Sequence, residues 1–217
     1  MERQFPWRLV TVDIDGTLTV GHGWQPIARS FGRLSAFEET NRRFFAHQIS
    51  EDAHLTNLLS ITTGHSVAEV EAILAETPKL AGIAPGVAEL RTRGARVALL
   101  THNPDYVADW YRRAFGFDAF EAVSAQRVED GVIGPPVDVH ADKPGGLRAL
   151  LEREQVLAHA VVHVGDGWSD AELFRLVGGG VAVNSPYPEV ARAADLALTT
   201  HDFREVAAGI SRLRPRP

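Results

Sequence analysis

The chain has 217 residues, 28 acidic and 22 basic side chains and a net charge of −6, with 45% hydrophobic and 23% charged residues. That composition fits one large folded domain, or one domain with a modest insertion, and excludes disorder and a generally basic nucleic-acid-binding surface. No apolar run approaches the roughly 18 residues of a membrane span, and the absence of cysteine removes disulfides and thiolate metal sites.

The N-terminal MERQFPWRLV has no long apolar stretch and no small-residue cleavage site, so a cytoplasmic location is expected. Leu9-Val10-Thr11-Val12 then reads as a buried strand ending abruptly at Asp13. Residues 22–80 carry helical patterns (Phe31 to Ile49, Ala53 to Thr62, Val67 to Glu76) and no convincing strand. They are expected to form a small helical cap inserted after the first strand, leaving 1–21 and 81–217 as the core. From residue 81 onward strands and helices alternate. Val97–Leu100, a strand near Phe120 to Ser124, Val161–Val164, Gly180–Val183 and Leu196–Leu198 are the strands. Pro85–Arg93, Pro104–Phe115, Gly146–Leu157 and Asp170–Val177 are the helices. Asp130-Gly131 between Val128 and Val132-Ile133 signals a hairpin. The alternation predicts an α/β, Rossmann-like three-layer core with a mostly parallel sheet.

In such a sheet, ligands bind beyond the carboxyl ends of the strands. Three strands end in Asp13-Ile14-Asp15-Gly16-Thr17, Thr101-His102-Asn103 and Gly165-Asp166-Gly167-Trp168-Ser169-Asp170, and a fourth loop supplies Lys143. If those strands are neighbours, four carboxylates, a hydroxyl and an ammonium converge. Such carboxylates repel one another in a low dielectric, and a divalent cation relieves the repulsion. An all-oxygen ligand set suits Mg²⁺ better than zinc. A hard cation, an ammonium and a hydroxyl make a site for a phosphoryl group. A strand-end carboxylate can attack phosphorus, and a second one two residues on can protonate the leaving oxygen and later activate water. Taken singly, each of these residues has a plainer reading. An Asp-Gly pair is usually a turn, Asp170 a helix cap, Lys143 a solvated side chain and His163 a satisfied core residue.

The ordered set Asp13-x-Asp15-Gly16-Thr17, Thr101, Lys143 and Gly165-Asp166-Gly167-x-x-Asp170 resembles the four motifs of the haloacid dehalogenase-like hydrolases, most closely the phosphoserine phosphatase-like branch. The resemblance implies a Mg²⁺-dependent phosphomonoester hydrolase working through a phosphoaspartate on a small phosphorylated metabolite. Asp13 would be the nucleophile and Asp15 the general acid/base, whose backbone carbonyl also touches the metal. Asp166 would ligate Mg²⁺, with Asp170 a ligand or close partner. Thr101 and Lys143 would hold the phosphoryl group, joined in substrate binding by His102 and Ser169. The chain departs from the branch in its second motif, where Thr101-His102-Asn103 stands for the usual Ser-Gly-Gly, and at two places in the cap. Val20-Gly21-His22-Gly23-Trp24 stands where a cap Glu is usual, and Ala53 to Leu59 where a cap Arg is usual. His22, Trp24, Arg42 and Arg43 are candidates to meet the substrate, and Trp168 projects near the metal loop. A phosphotransferase or mutase sharing the aspartyl phosphate is the alternative, and a non-catalytic binding protein a more distant one. A monomer or homodimer is expected, with no nucleic-acid or membrane partner.

Overall fold

The computed structural model describes residues 5–137 and 139–216, so the first four residues of the expected core segment and Pro217 lie outside the described residues. Strands β1 (Leu9–Val12), β2 (Arg96–Pro104), β3 (Ala119–Glu129), β4 (Val132–Val137), β5 (Val161–Gly165), β6 (Gly179–Val183) and β7 (Leu196–Leu198) form one seven-stranded sheet in the order β4-β3-β2-β1-β5-β6-β7. Every neighbouring pair is parallel except the β3–β4 hairpin. Asp130 (φ 48°) and Gly131 (φ 79°) form its turn, and both occupy the left-handed region that a two-residue hairpin needs. The fold is therefore the α/β, Rossmann-like arrangement that the strand–helix alternation predicts.

Fully buried β1 sits between β2 and β5 and has apolar layers on both faces. Helices α5 (Ile83–Thr92), α6 (Asp105–Phe115) and α10 (Phe203–Arg212) share a core with Val10, Val12, Val97 and Leu99. Helices α7 (Lys143–Glu154) and α8 (Trp168–Leu176) pack with Leu9, Ala98, Leu100 and Val161. Because side chains alternate along a strand, Leu9, Thr11 and the residue just past the strand, Asp13, share the face covered by α7 and α8. That parity aims the first acidic residue at those two helices. Helix α9 (Pro188–Ala193) completes the core.

Between β1 and α5 the chain forms α1 (Trp24–Ser30), α2 (Leu34–Phe45), α3 (Glu51–Leu59) and α4 (Val67–Glu76). Its two connections to the core run side by side, with Leu80 N donating to Leu18 O at 2.9 Å and Val20 N to Pro78 O at 2.9 Å. Its far end is tied to the hairpin through Gly64 N to Ile133 O (2.8 Å) and Val67 N to Gly131 O (2.9 Å). Among the described residues, no helix is long and apolar enough to cross a membrane.

Four sequence-based boundaries are corrected. The helix expected over Phe31 to Ile49 is the shorter α2 (Leu34–Phe45), preceded by the unexpected α1, because Gly32 takes φ 66° and breaks the helical path between them. Helix α7 begins at Lys143, three residues before the expected Gly146, since Asp142 caps Gly145 N at 2.7 Å and Pro144 suits the second helical position. Helix α8 begins at Trp168, so Asp170 is its third residue and not its cap. Strand β2 runs on to Pro104, which carries Thr101 inside the strand.

Candidate active site

Asp13 and Lys143 are nearly fully buried, and Lys143 Nζ lies 2.8 Å from Asp13 Oδ1 and 2.7 Å from Asp170 Oδ1. Being the first residue of α7, Lys143 has its stem fixed by the helix and its ammonium brought under the end of β1. Asp170, one turn into α8, uses its other oxygen to accept Asp166 N at 3.0 Å and Gly167 N at 2.9 Å. These are free amides of the helix N-terminus, where a carboxylate is favoured. His163 lies beside Thr11 in the β5–β1 register. Its Nε2 is 3.0 Å from Asp170 Oδ1, and its Nδ1 is 2.8 Å from Thr11 Oγ1. A carboxylate only accepts, so His163 carries its proton on Nε2 and accepts a hydrogen bond from the Thr11 hydroxyl at Nδ1. The core-histidine reading of His163 thus gains a second part: it steadies the residue that steadies Lys143.

Burial would raise the Asp170 carboxyl, but the Lys143 ammonium and the His163 N–H overcome it and hold the group well below the usual carboxylate range. Its neighbours go the other way. Burial pushes Asp13 up to about 7 despite the opposing pull of Lys143, with the charge of Asp170 adding to the rise. Burial, then the charges of Asp13 and Asp170, push Asp166 up to about 8, opposed by the hydrogen bond from Thr17 Oγ1 at 3.0 Å. Ligand oxygens of Asp13, Asp166 and Asp170 all lie within 4.8 Å of one another. Three carboxylates, two buried and Asp166 partly so, around one ammonium are a site short of positive charge, and the donor set is all oxygen, the chemistry of a hard divalent cation.

Asp15 stands apart from that cluster. Its Oδ1 accepts Gly23 N at 2.8 Å and its Oδ2 accepts Asn103 Nδ2 at 2.8 Å. A Cβ at residue 23 would overlap Asp15 Oδ1, so only glycine lets the cap connection come this close. The same Asn103 amide reaches Thr101 Oγ1 at 2.9 Å, and Trp24 Nε1 donates to Asn103 Oδ1 at 2.8 Å. Asn103 therefore couples the second acidic residue to the strand hydroxyl and to the first cap helix. Its signal in the sequence was spacing alone, two residues beyond Thr101 on an extended segment.

A cavity of about 1260 Å³ opens above Asp13, with Asp15, Thr101, His102, Lys143, Asp166 and Ser169 in its lining. Asp170 lines it as well, so every residue proposed from the motifs meets one space. His102 Nε2 is buried with no hydrogen-bond partner, and burial followed by the Lys143 charge pushes the ring down to about 3, so it is neutral. His22 and Trp24 also border the cavity. Arg42 and Arg43 do not: Arg42 is exposed and paired with Glu39 at 2.7 Å.

The haloacid dehalogenase-like hydrolase model matches residues 7–178, most of the chain and all four motifs. The chain belongs to that family. Among its curated relatives is a phosphoserine phosphatase of Archaeoglobus fulgidus, 23% identical over 183 residues. That alignment covers 82% of this chain and 53% of the relative, so the chain spans about half the length of that protein. A haloacid dehalogenase family hydrolase from Salmonella enterica serovar Typhi superposes with a TM-score of 0.83 at 18% identity, covering 91% of this chain and 69% of the other. A substrate-bound phosphoserine phosphatase superposes with a TM-score of 0.78 at 21% identity, covering 94% and 98%. This member of the haloacid dehalogenase-like hydrolases thus shares its fold with a phosphoserine phosphatase.

Proposed function

We propose that the protein is a Mg²⁺-dependent phosphomonoester hydrolase that forms a phosphoaspartate on Asp13. The observation that carries this reading is the Asp13 carboxylate held by Lys143 at the floor of a large cavity, beside two further acidic ligands and a strand-end hydroxyl. Residues 22–80 would be the cap and 1–21 with 81–217 the core.

Asp13, Asp166 and Asp170, with the Asp15 carbonyl, are the residues that would hold Mg²⁺. When bound, the ion neutralises charge on the transferring phosphoryl oxygens. Lys143 fixes the attacking carboxylate and shares the phosphoryl charge, and Thr101 Oγ1 holds a phosphoryl oxygen. His102 and Ser169 border the same space and complete the phosphate pocket. Attack by Asp13 on phosphorus breaks the ester bond, and the Asp15 proton passes to the departing alkoxide. Asp15 then takes a proton from water as that water attacks the acyl phosphate, returning Asp13 and releasing inorganic phosphate.

The first test is phosphate release from p-nitrophenyl phosphate with Mg²⁺ and with excess chelator. Release only with Mg²⁺ is expected, and equal rates in both would contradict the metal dependence. Asp15→Asn should lower kcat for alkyl phosphates by about 10²–10⁴-fold and for aryl phosphates far less, because a phenolate needs little protonation to leave. Equal losses on both esters would remove the acid role from Asp15.

The raised Asp13 and Asp166 carboxyls also predict a pH dependence. A group whose pKa is higher folded than unfolded contributes stability at low pH and loses it as pH rises through the folded value. Here that loss runs through about 7 and about 8. Between about pH 7 and about pH 9, above the ordinary histidine range and so clear of the opposite effect of buried His54 and His102, the metal-free protein should melt lower at the higher pH, and Mg²⁺ should raise the melting temperature more there, where the carboxylates are ionised. Melting curves with and without Mg²⁺ check this. An equal rise at both pH values would contradict it.

A further inference from the structure

Beyond the motif residues, the cavity has a charge pattern of its own. Among the described residues its lining contains no arginine, and Lys143, its one lysine, is spent on Asp13 and Asp170. Of the five lining histidines (His22, His47, His54, His102 and His201), burial pushes His54 down to about 4 and His102 to about 3, so neither of these two supplies a cation at neutral pH. The side facing the leaving group is instead acidic and aromatic. Glu51, in the first turn of α3, lines the cavity, where burial raises its carboxyl against the opposing charge of Lys143, and Glu172 of α8 borders it as well. Phe44 and Phe45 of α2 line the same space, and Phe45 is 58% exposed. At the mouth, Trp168, 53% exposed, stands 5.3 Å from Tyr187 ring to ring. Exposed rings such as Phe45 and Trp168 in a cavity that also holds carboxylates are the surroundings in which an organic ammonium is held, by ion pairing and by the negative faces of the rings.

We infer that the substrate is a phosphorylated amino alcohol whose leaving group carries an ammonium and no carboxylate, read by Glu51 and the cavity aromatics. This rests on the phosphatase reading of the same site. A leaving group with a carboxylate would face Glu51 and Glu172 with no guanidinium to meet it, while the phosphoryl end is provided for by Lys143 and the strand termini. The cavity, at about 1260 Å³, exceeds the roughly 300–1,000 Å³ of common ligand pockets, so a methylated ammonium is admitted.

The test compares esters that differ in one charge. Choline phosphate and 3,3-dimethylbutyl phosphate have the same shape, and only the first is cationic; ethanolamine phosphate is phosphoserine without its carboxylate. With p-nitrophenyl phosphate as the reference ester, kcat/KM should be at least about tenfold higher for choline phosphate than for its neutral isostere, and higher for ethanolamine phosphate than for phosphoserine. Glu51→Gln should bring the first ratio close to one, chiefly through KM, and Glu51→Lys should turn the preference toward phosphoserine. Melting curves establish that both variants are folded. Hydrolysis of the aryl ester with no preference for the cationic isostere would overturn this assignment and leave the phosphatase reading standing. A preference undiminished in Glu51→Gln would overturn the role of Glu51. No Mg²⁺-dependent hydrolysis of the aryl ester would overturn the phosphatase reading, and this assignment with it.

Discussion

Asp13→Asn should abolish turnover, lowering kcat by roughly 10⁴-fold or more, while leaving the melting temperature nearly unchanged. The amide is close in shape to the carboxylate and keeps an oxygen for Lys143 Nζ, which lies 2.8 Å away. It also removes a charge from a position where burial opposes ionisation, so the fold does not suffer. What it loses is nucleophilicity, because an amide oxygen cannot form the acyl phosphate. Steady-state release from p-nitrophenyl phosphate and a thermal melt check the two halves. Turnover within about tenfold of the wild type would rule out Asp13 as the nucleophile.

Lys143→Met has the second large effect, and it falls on stability and activity together. The methionine fills much of the same volume but leaves Asp13 and Asp170 buried without their shared cation. Removing one partner of a buried ion pair costs about 3–5 kcal/mol, and here two carboxylates lose the same partner. The variant should unfold at clearly lower denaturant concentration and release no measurable phosphate. Adding Mg²⁺ should recover part of the stability, since a bound divalent ion replaces some of the lost positive charge, but not the activity. A variant as stable as the wild type would show that Lys143 is not the counter-charge of this cluster.

The two variants separate the parts of the site that the sequence could and could not convey. The frame was legible because local signals agreed with the fold. Leu9–Val12 is a purely buried strand that stops at a carboxylate, Val67–Glu76 is a helix at the predicted bounds, and Asp130-Gly131 turns the predicted hairpin. The order of the motifs then allowed Asp13, Thr101, Lys143, Asp166 and Asp170 to be gathered before any coordinates, and all of them border one cavity. Boundaries failed where one residue changes the backbone without changing the hydrophobic pattern. The apolar positions Phe31, Leu34 and Phe37 continue across Gly32, so periodicity could not register the break. Lys143-Pro144-Gly145-Gly146 has the composition of a loop, yet Pro at the second position and the Asp142 cap make it a helix start.

The interactions that tune the site were not legible, because they join residues distant in the chain. Asn103 reaches Asp15 across 88 positions and Trp24 across 79, and nothing local marks either contact. His163 read as core for sound reasons, since its strand is wholly buried. Its bond to Asp170 follows from the Thr11–His163 register and from where α8 begins, both tertiary facts. The cap was opaque for a related reason. Which of its faces looks inward depends on how four short helices pack, and that packing left Arg42, paired with Glu39 of its own helix, in solvent and Glu51 on the cavity.

The central claim is the covalent step on Asp13, and trapping the intermediate tests it most directly. The protein is mixed with p-nitrophenyl phosphate and Mg²⁺, quenched in acid within one turnover, digested, and mapped by mass spectrometry. One added phosphoryl group on the peptide beginning after Arg8, localised to Asp13 and absent in Asp13→Asn, is the expected result. Turnover with no phosphoryl adduct at Asp13, or an adduct on a different residue, would contradict it.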